Sequence, residues 1–165
     1  MQVKIGKSTH MNITKVLNKL YFAPRRKEID RYATQAGELQ FEVLKRLLKK
    51  ASNTEWGKDH DYASIHTYEA FKERVPIQTY EEIKPYVARL RAGEQNLLWP
   101  SDIRWFAKSS GTTNDKSKFL PVSREALKDT HYKGGQDAVA IYLGQNPESR
   151  LFSGNALVLG GSHAP

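Results

Sequence analysis

The chain has 165 residues, 39% hydrophobic and 27% charged, enough for one domain with a buried core and too apolar for wholesale disorder. It has no cysteine, which excludes disulfides and thiolate metal sites, and no run of eighteen apolar residues, which excludes a membrane-spanning helix. The formal charge of +8 resides on residues 1–58, which carry 13 Lys/Arg against 5 Asp/Glu, whereas residues 59–165 balance at 13 of each.

The first fifteen residues, MQVKIGKSTHMNITK, lack an apolar core and a small-residue cleavage site, so they do not read as a secretory signal; a cytoplasmic protein is expected. Ile13, Val16, Leu17 and Leu20 predict a first helix that stops near Pro24. The spacing of Ile29, Tyr32, Ala33, Ala36, Leu39, Val43, Leu44, Leu47 and Leu48 predicts a longer helix over 28–51 with one apolar stripe. Within it, KRLLKK (45–50) interleaves bases with leucines and reads as a solvated helix face, the alternative being a patch for nucleic acid or an acidic protein. A basic helical segment over 1–58 is therefore set apart from the remainder, 59–165.

A turn-rich link follows, in which His60 and His66 flank Asp59 and Asp61 at a spacing that matches no metal-ligand pattern. Thr67 caps a short helix ending before Pro76, and Thr79 with Glu82 forms a capping box for a helix that stops at Gly93. Pro85 is expected to split or kink that helix. Residues 103–108 and 118–122 read as short strands, the second at an edge because of Pro121; Trp99, Trp105 and Phe106 are expected in the core. Ser123 caps a helix through Leu127, Tyr132, Val139 and Tyr142, loosened at Gly134 and Gly135. The last stretch, NALVLGGSHAP, reads as a buried strand of a parallel sheet, which makes the fold class α/β. Gly160, Gly161, Ser162 and His163 fall at its carboxyl end, where α/β sheets gather ligands, and form a candidate substrate pocket.

Between the two short strands lies SSGTTNDKSK (109–118), which holds hydroxyls, a glycine and lysines together. Hydroxyls and backbone amides donate hydrogen bonds to phosphate without bringing negative charge, and lysine adds the opposite charge. The spacing departs from GxxxxGK[ST]: Lys116 stands where the second glycine belongs, and a strand rather than a helix follows. Taken by composition, the segment suits a phosphate loop and a polar hairpin turn alike, since Ser, Asn, Asp and Gly also populate turns.

KSSGTTNDKSKFLPVS resembles the first nucleotide-binding motif of the acyl-adenylate-forming enzymes. With its flanks, EWGKDH, VPIQTYEEI, the Gly-Glu turn at 93–94 and the Ser-Ser-Gly-Thr-Thr loop in order, the chain from near Lys15 to Pro165 is similar to the auxin-responsive promoter family of acyl acid amido synthetases, its bacterial members in particular. The resemblance implies N-terminal helices followed by part of the large adenylate-forming domain, beginning within 59–165, with the phosphate loop on a β-hairpin. It implies that Ser109, Ser110, Gly111, Thr112, Thr113, Lys116 and Lys118 bind the phosphates of ATP, with Mg²⁺. It further implies a ligase that adenylates a carboxylic acid and passes the acyl group to an amine, an amino acid in the expected case, with neither membrane nor nucleic acid as partner. No catalytic residue and no protein metal ligand is assigned. Members of the family are several times longer, so the chain is expected to be an N-terminal piece that is inactive alone. Asp115 stands where many members carry glycine; it is offset by Lys116, faces solvent, or helps hold Mg²⁺. The competing reading is a non-enzymatic module that binds nucleic acid or protein through the basic helix.

Overall fold

A computed structural model describes residues 12–109, 117–155 and 157. The described residues of Met1–Arg31 and Gly135–Pro165 form one compact unit, and Tyr32–Gly134 form a second. Helices dominate both, and the one sheet among the described residues is a two-stranded antiparallel hairpin. Among those residues, no helix is long and apolar enough to cross a membrane.

In the first unit, α1 (Ile13–Leu17) opens on Asn12, whose side chain accepts the Thr14 N–H. A π-helical turn (Asn18–Phe22) then hands over to α2 (Ala23–Asp30). The helical path therefore continues through Pro24 instead of stopping there: proline sits in the first turn of α2, where its missing N–H costs little, and the wider turn before it relieves the ring's clash with the preceding carbonyls. Phe22 packs with Ala140 and Leu143 of the last helix, joined by Ile29 and Val139. Arg25, only 7% exposed, is held by a fork to Asp137 at 2.6 and 2.8 Å, so its buried charge is paired.

The second unit begins with α3 (Tyr32–Ala51), which loses helical geometry at Gln35. The stripe read over 28–51 is thus interrupted at Arg31 and again at Gln35. Its buried side narrows to Leu48 and Ala51, while Val43 and Leu47 are exposed. After Ala51 the chain turns on Thr54, fully buried, whose hydroxyl donates to Ala51 O at 2.7 Å and accepts the Gly57 N–H at 3.0 Å. That cap starts α4 (Glu55–Asp59). A single 3-10 turn (Tyr62–Ser64) and α5 (Tyr68–Arg74), capped by Thr67 as the sequence predicts, lead to α6 (Tyr80–Arg91).

The capping box of Thr79 and Glu82 is present, and Gly93 closes the far end with φ +98°. Pro85 lies inside one continuous helix, so the expected split does not occur. An internal proline costs about 3 kcal/mol. Burial of Val87 and Leu90, each 2% exposed, returns roughly 1.5–3 kcal/mol apiece and holds the helix through the proline. Leu90 meets Leu97 and Ile103 in the unit's core, with Tyr86, Leu98, Trp99 and Phe106 packed against them. Arg89 ties α4 to the end of α6, reaching Glu55 with two bonds at 2.6 and 2.7 Å and Glu94 at 2.8 and 2.5 Å.

Strands β1 (Trp105–Lys108) and β2 (Phe119–Val122) pair with Lys108 opposite Phe119 and Phe106 opposite Pro121. Phe106 turns into the core, as expected, but its neighbour Trp105 stands on the opposite face of the strand and is 51% exposed. Ser123 caps α7 (Arg124–Ala126), which runs through a π-helical turn (Leu127–Tyr132) into α8 (Lys133–Gln145). The expected final strand lies almost wholly outside the described residues.

Gly57 is the most closely approached glycine among the described residues. A Cβ built there would lie 2.0 Å from Ala51 O, whereas one at Gly37 in mid-α3 would meet nothing within 4 Å. Gly57→Ala is predicted to lower stability by about 2 kcal/mol or more, and Gly37→Ala to leave it unchanged or raise it by up to about 1 kcal/mol. Thermal denaturation of the two variants checks this: the first should fall by roughly 4–8 °C in Tm and the second should not fall.

Candidate functional site

The candidate loop hangs from a neck whose geometry the structure fixes. Ser109 N donates to Lys118 O at 2.9 Å, and Lys118 N donates to the Ser109 hydroxyl oxygen at 3.2 Å. These bonds extend the ladder one residue past β1 and β2 and bring together residues nine apart in sequence. The Ser109 hydroxyl accepts at the neck and keeps its own proton to donate. In this register, Phe119 lies in a non-hydrogen-bonded pair, so its N–H and C=O face away from β1. Pro121, two residues on, faces the same way, and its missing N–H removes nothing from the ladder.

The outward groups of Phe119 are met by α6. Phe119 N donates to the Tyr80 hydroxyl oxygen at 3.0 Å, and that hydroxyl donates back to Phe119 O at 3.4 Å. The Lys118 ammonium lies 5.6 Å from the centre of the Tyr80 ring, and the Arg91 guanidinium lies 4.0 Å from the centre of the Phe119 ring.

At the other end of β2, Glu125 gathers three donors. Lys50 Nζ approaches Oε1 at 2.5 Å, while Ser101 Oγ and Trp99 Nε1 reach Oε2 at 2.8 and 3.3 Å. Lys50 also lies 5.4 Å from the centre of the Trp99 ring. The Lys50 ammonium first, then the Ser101 hydroxyl, hold the Glu125 carboxyl down from its ordinary 4.5 to about 2, against partial burial that pushes the other way. The network joins the end of α3, the loop before β1 and the first turn after β2, and so fixes where the hairpin leaves the core. It consists of a lysine in a basic run, a serine in a loop and a glutamate after a capping serine, none of which stands out in the sequence.

Of the residues proposed from sequence, the structure places Ser109 and Lys118 and brings them together at the neck. Ser110, Gly111, Thr112, Thr113 and Lys116, with Asp115, lie outside the described residues, as do Gly160, Gly161, Ser162 and His163. Among the described residues, no three His, Asp or Glu side chains converge on a point that a cation would occupy. His60 stacks on Trp56 with ring centres 4.1 Å apart and shares a hydrogen bond of 2.9 Å with the Trp56 carbonyl through Nδ1. The basic run of α3 is partly engaged within its own unit: Lys50 by Glu125, Arg46 by Asp129 at 3.6 Å, and Lys45 over the Phe41 ring at 4.9 Å.

Comparison with known proteins places this geometry in a family. The GH3 family N-terminal domain matches residues 25–163, and the chain belongs to that family. It is 30% identical over 135 residues to a jasmonoyl–L-amino acid synthetase of Nicotiana attenuata, covering 79% of this chain and 22% of that protein. It is 32% identical over 111 residues to an indole-3-acetic acid-amido synthetase of Arabidopsis thaliana, covering 67% and 17%. The solved structure of the GH3.15 acyl acid amido synthetase superposes with a TM-score of 0.63 at 24% identity, over 86% of this chain and 24% of that one, a likeness of fold. The chain spans about a fifth of the length of the curated relatives it matches. Family membership accounts for the chain without the nucleic-acid or protein-binding module weighed as the alternative, which nothing in the comparisons supports.

Glu125 supplies a pH test. Its carboxyl is depressed in the folded state, so its stabilisation is full above pH 4.5 and is lost as pH falls through about 2. Glu125→Gln is predicted to cost roughly 1–3 kcal/mol at pH 7, the loss of charge-assisted hydrogen bonds, and to cost progressively less below pH 4. Paired denaturation curves at pH 7 and pH 3 measure the difference; equal costs at both would refute the ionic network.

Proposed function

We propose that this chain is the N-terminal part of an ATP-dependent acyl acid amido synthetase that activates a carboxylic acid as its acyl-adenylate and transfers the acyl group to an amine, an amino acid by analogy with the relatives' names. What carries the reading is the hairpin neck: in a member of the GH3 family, Ser109 and Lys118 are clasped at the base of a segment whose sequence is Ser-Gly-Thr-Thr-Asn-Asp-Lys-Ser. Residues 59–165 then open the adenylate-forming domain, and the protein works in the cytoplasm.

In this reading Ser109, Ser110, Thr112 and Thr113 donate hydroxyl protons to the phosphate oxygens of ATP, Gly111 lets the backbone come close, and Lys116 and Lys118 neutralise charge. A carboxylate oxygen of the acid attacks the α-phosphorus, the bond to the bridging oxygen breaks, and pyrophosphate leaves with that oxygen. The amine then attacks the acyl carbon and gives up a proton to solvent, and AMP leaves with the oxygen that came from the carboxylate. The loop contributes positioning and charge stabilisation rather than a covalent nucleophile. Mg²⁺, when bound, adds charge neutralisation at the phosphates. The described side chains offer it no cluster of ligands. Gly160, Gly161, Ser162 and His163 are assigned to the substrate pocket.

Each phosphate donor should carry an effect of the size seen for oxyanion donors. Ser110→Ala and Thr112→Ala in the full-length protein are predicted to cut acid-dependent exchange of labelled pyrophosphate into ATP by about 10²-fold each. Wild-type exchange rates in both variants would remove the loop from the phosphate site.

A further inference from the structure

We infer that Tyr80 is a positioning residue for nucleotide binding, its hydroxyl fixing the strand that carries Lys118 and so setting where that ammonium enters the phosphate site. The inference rests on the phosphate-loop reading above and adds a residue from a different element, thirty-eight positions upstream of Lys118.

The outer edge of β2 has no third strand among the described residues, so the N–H and C=O of Phe119 depend on another partner. Tyr80 supplies both roles with one group, accepting at 3.0 Å and donating at 3.4 Å. A phenol suits the task because its oxygen accepts while its proton donates, and its rigid ring leaves few alternative positions. The same ring passes beneath Lys118, 5.6 Å from its ammonium, so one side chain holds the backbone next to that lysine and limits where its charge goes. Tyr80 is itself fixed. It is the first residue of α6, directly after the N-cap Thr79 and inside the capping box in which Thr79 N donates to Glu82 Oε2 at 2.5 Å. At the opposite end of α6, Arg91 lies over the Phe119 ring, so the helix grips the residue beside Lys118 through both its backbone and its side chain. Phosphate affinity depends on where the lysine charge is held, and a small displacement of a positioned group is costly.

The test uses the full-length synthetase and Tyr80→Phe, which keeps the ring and removes only the hydroxyl, with Thr112→Ala alongside as a direct phosphate donor. Pyrophosphate exchange gives KM for ATP and kcat, thermal denaturation gives Tm, and hydrogen exchange follows the peptide containing Phe119. Tyr80→Phe, which removes both bonds to Phe119, is expected to raise KM for ATP about fivefold to tenfold, with kcat within about twofold and Tm within about 2 °C of wild type. The Phe119 peptide should exchange faster in the variant without ATP. Unchanged KM in Tyr80→Phe, with exchange lost in Thr112→Ala, overturns the role of Tyr80 and leaves the loop assignment standing. A fall in Tm with kcat and KM moving together overturns it too, because Tyr80 then serves the fold alone. If Thr112→Ala and Ser110→Ala also behave as wild type, the loop assignment fails and takes this inference with it.

Discussion

The reciprocal bonding of Ser109 and Lys118 is the constraint from which the site follows. Two bonds to one short neck decide that the Ser/Thr/Gly segment leaves β1 and returns to β2 with fixed ends, instead of running into the N-terminus of a helix as a Walker loop does. A hairpin of two four-residue strands is marginal by itself, so the neck depends on support from outside the ladder. Support comes from Phe106 in the core, from Tyr80 along the edge of β2, and from Glu125 where β2 ends. Each draws on a different element, and together they make the hairpin part of the second unit's packing.

Much of this could be read from the residues because the forces are local. Caps act within four residues, so Thr67, Thr79 with Glu82, Gly93 and Ser123 all announced helix ends that the structure contains. The two strands were legible as short apolar runs on either side of a polar loop, and the loop's residue types named its candidate chemistry. Prolines were misjudged for a physical reason. Pro24 reads as a stop and Pro85 as a split or kink, yet one sits where a helix tolerates proline and the other lies inside an unsplit helix whose buried side outweighs its cost. The reverse error arose at Arg31 and Gln35, where neither glycine nor proline marks the interruptions and the apolar spacing runs straight through.

The tertiary anchors were not legible at all. Glu125 becomes a hub because Lys50 and Ser101, 75 and 24 residues away, are brought to it by folding. Tyr80 reads in sequence as one more residue of a capped helix, and only the register of β2 shows that its hydroxyl meets a backbone edge. Trp105 was expected in the core and stands outside it, since strand alternation gives the inward place to Phe106. The basic excess of residues 1–58 reads in sequence as a solvated helix face, with a patch for nucleic acid or an acidic protein as the alternative. In the structure, part of it serves to hold α3 against its own unit through Lys50 and Arg46, and family membership makes the binding role unnecessary.

The phosphate loop proposed for residues 109–118, with its neutral donors and lysines, would suit the proposed adenylation, in which pyrophosphate must be stabilised as it leaves without competition for the electrophile. The adenylation scheme makes a prediction about atoms that no binding measurement can make. With a carboxylic acid substrate labelled with ¹⁸O in its carboxylate, one labelled oxygen should be found in the phosphate of the AMP released as the amide forms. Label appearing instead in inorganic phosphate, with ADP as the other product, would mean attack at the terminal phosphate and would contradict the account.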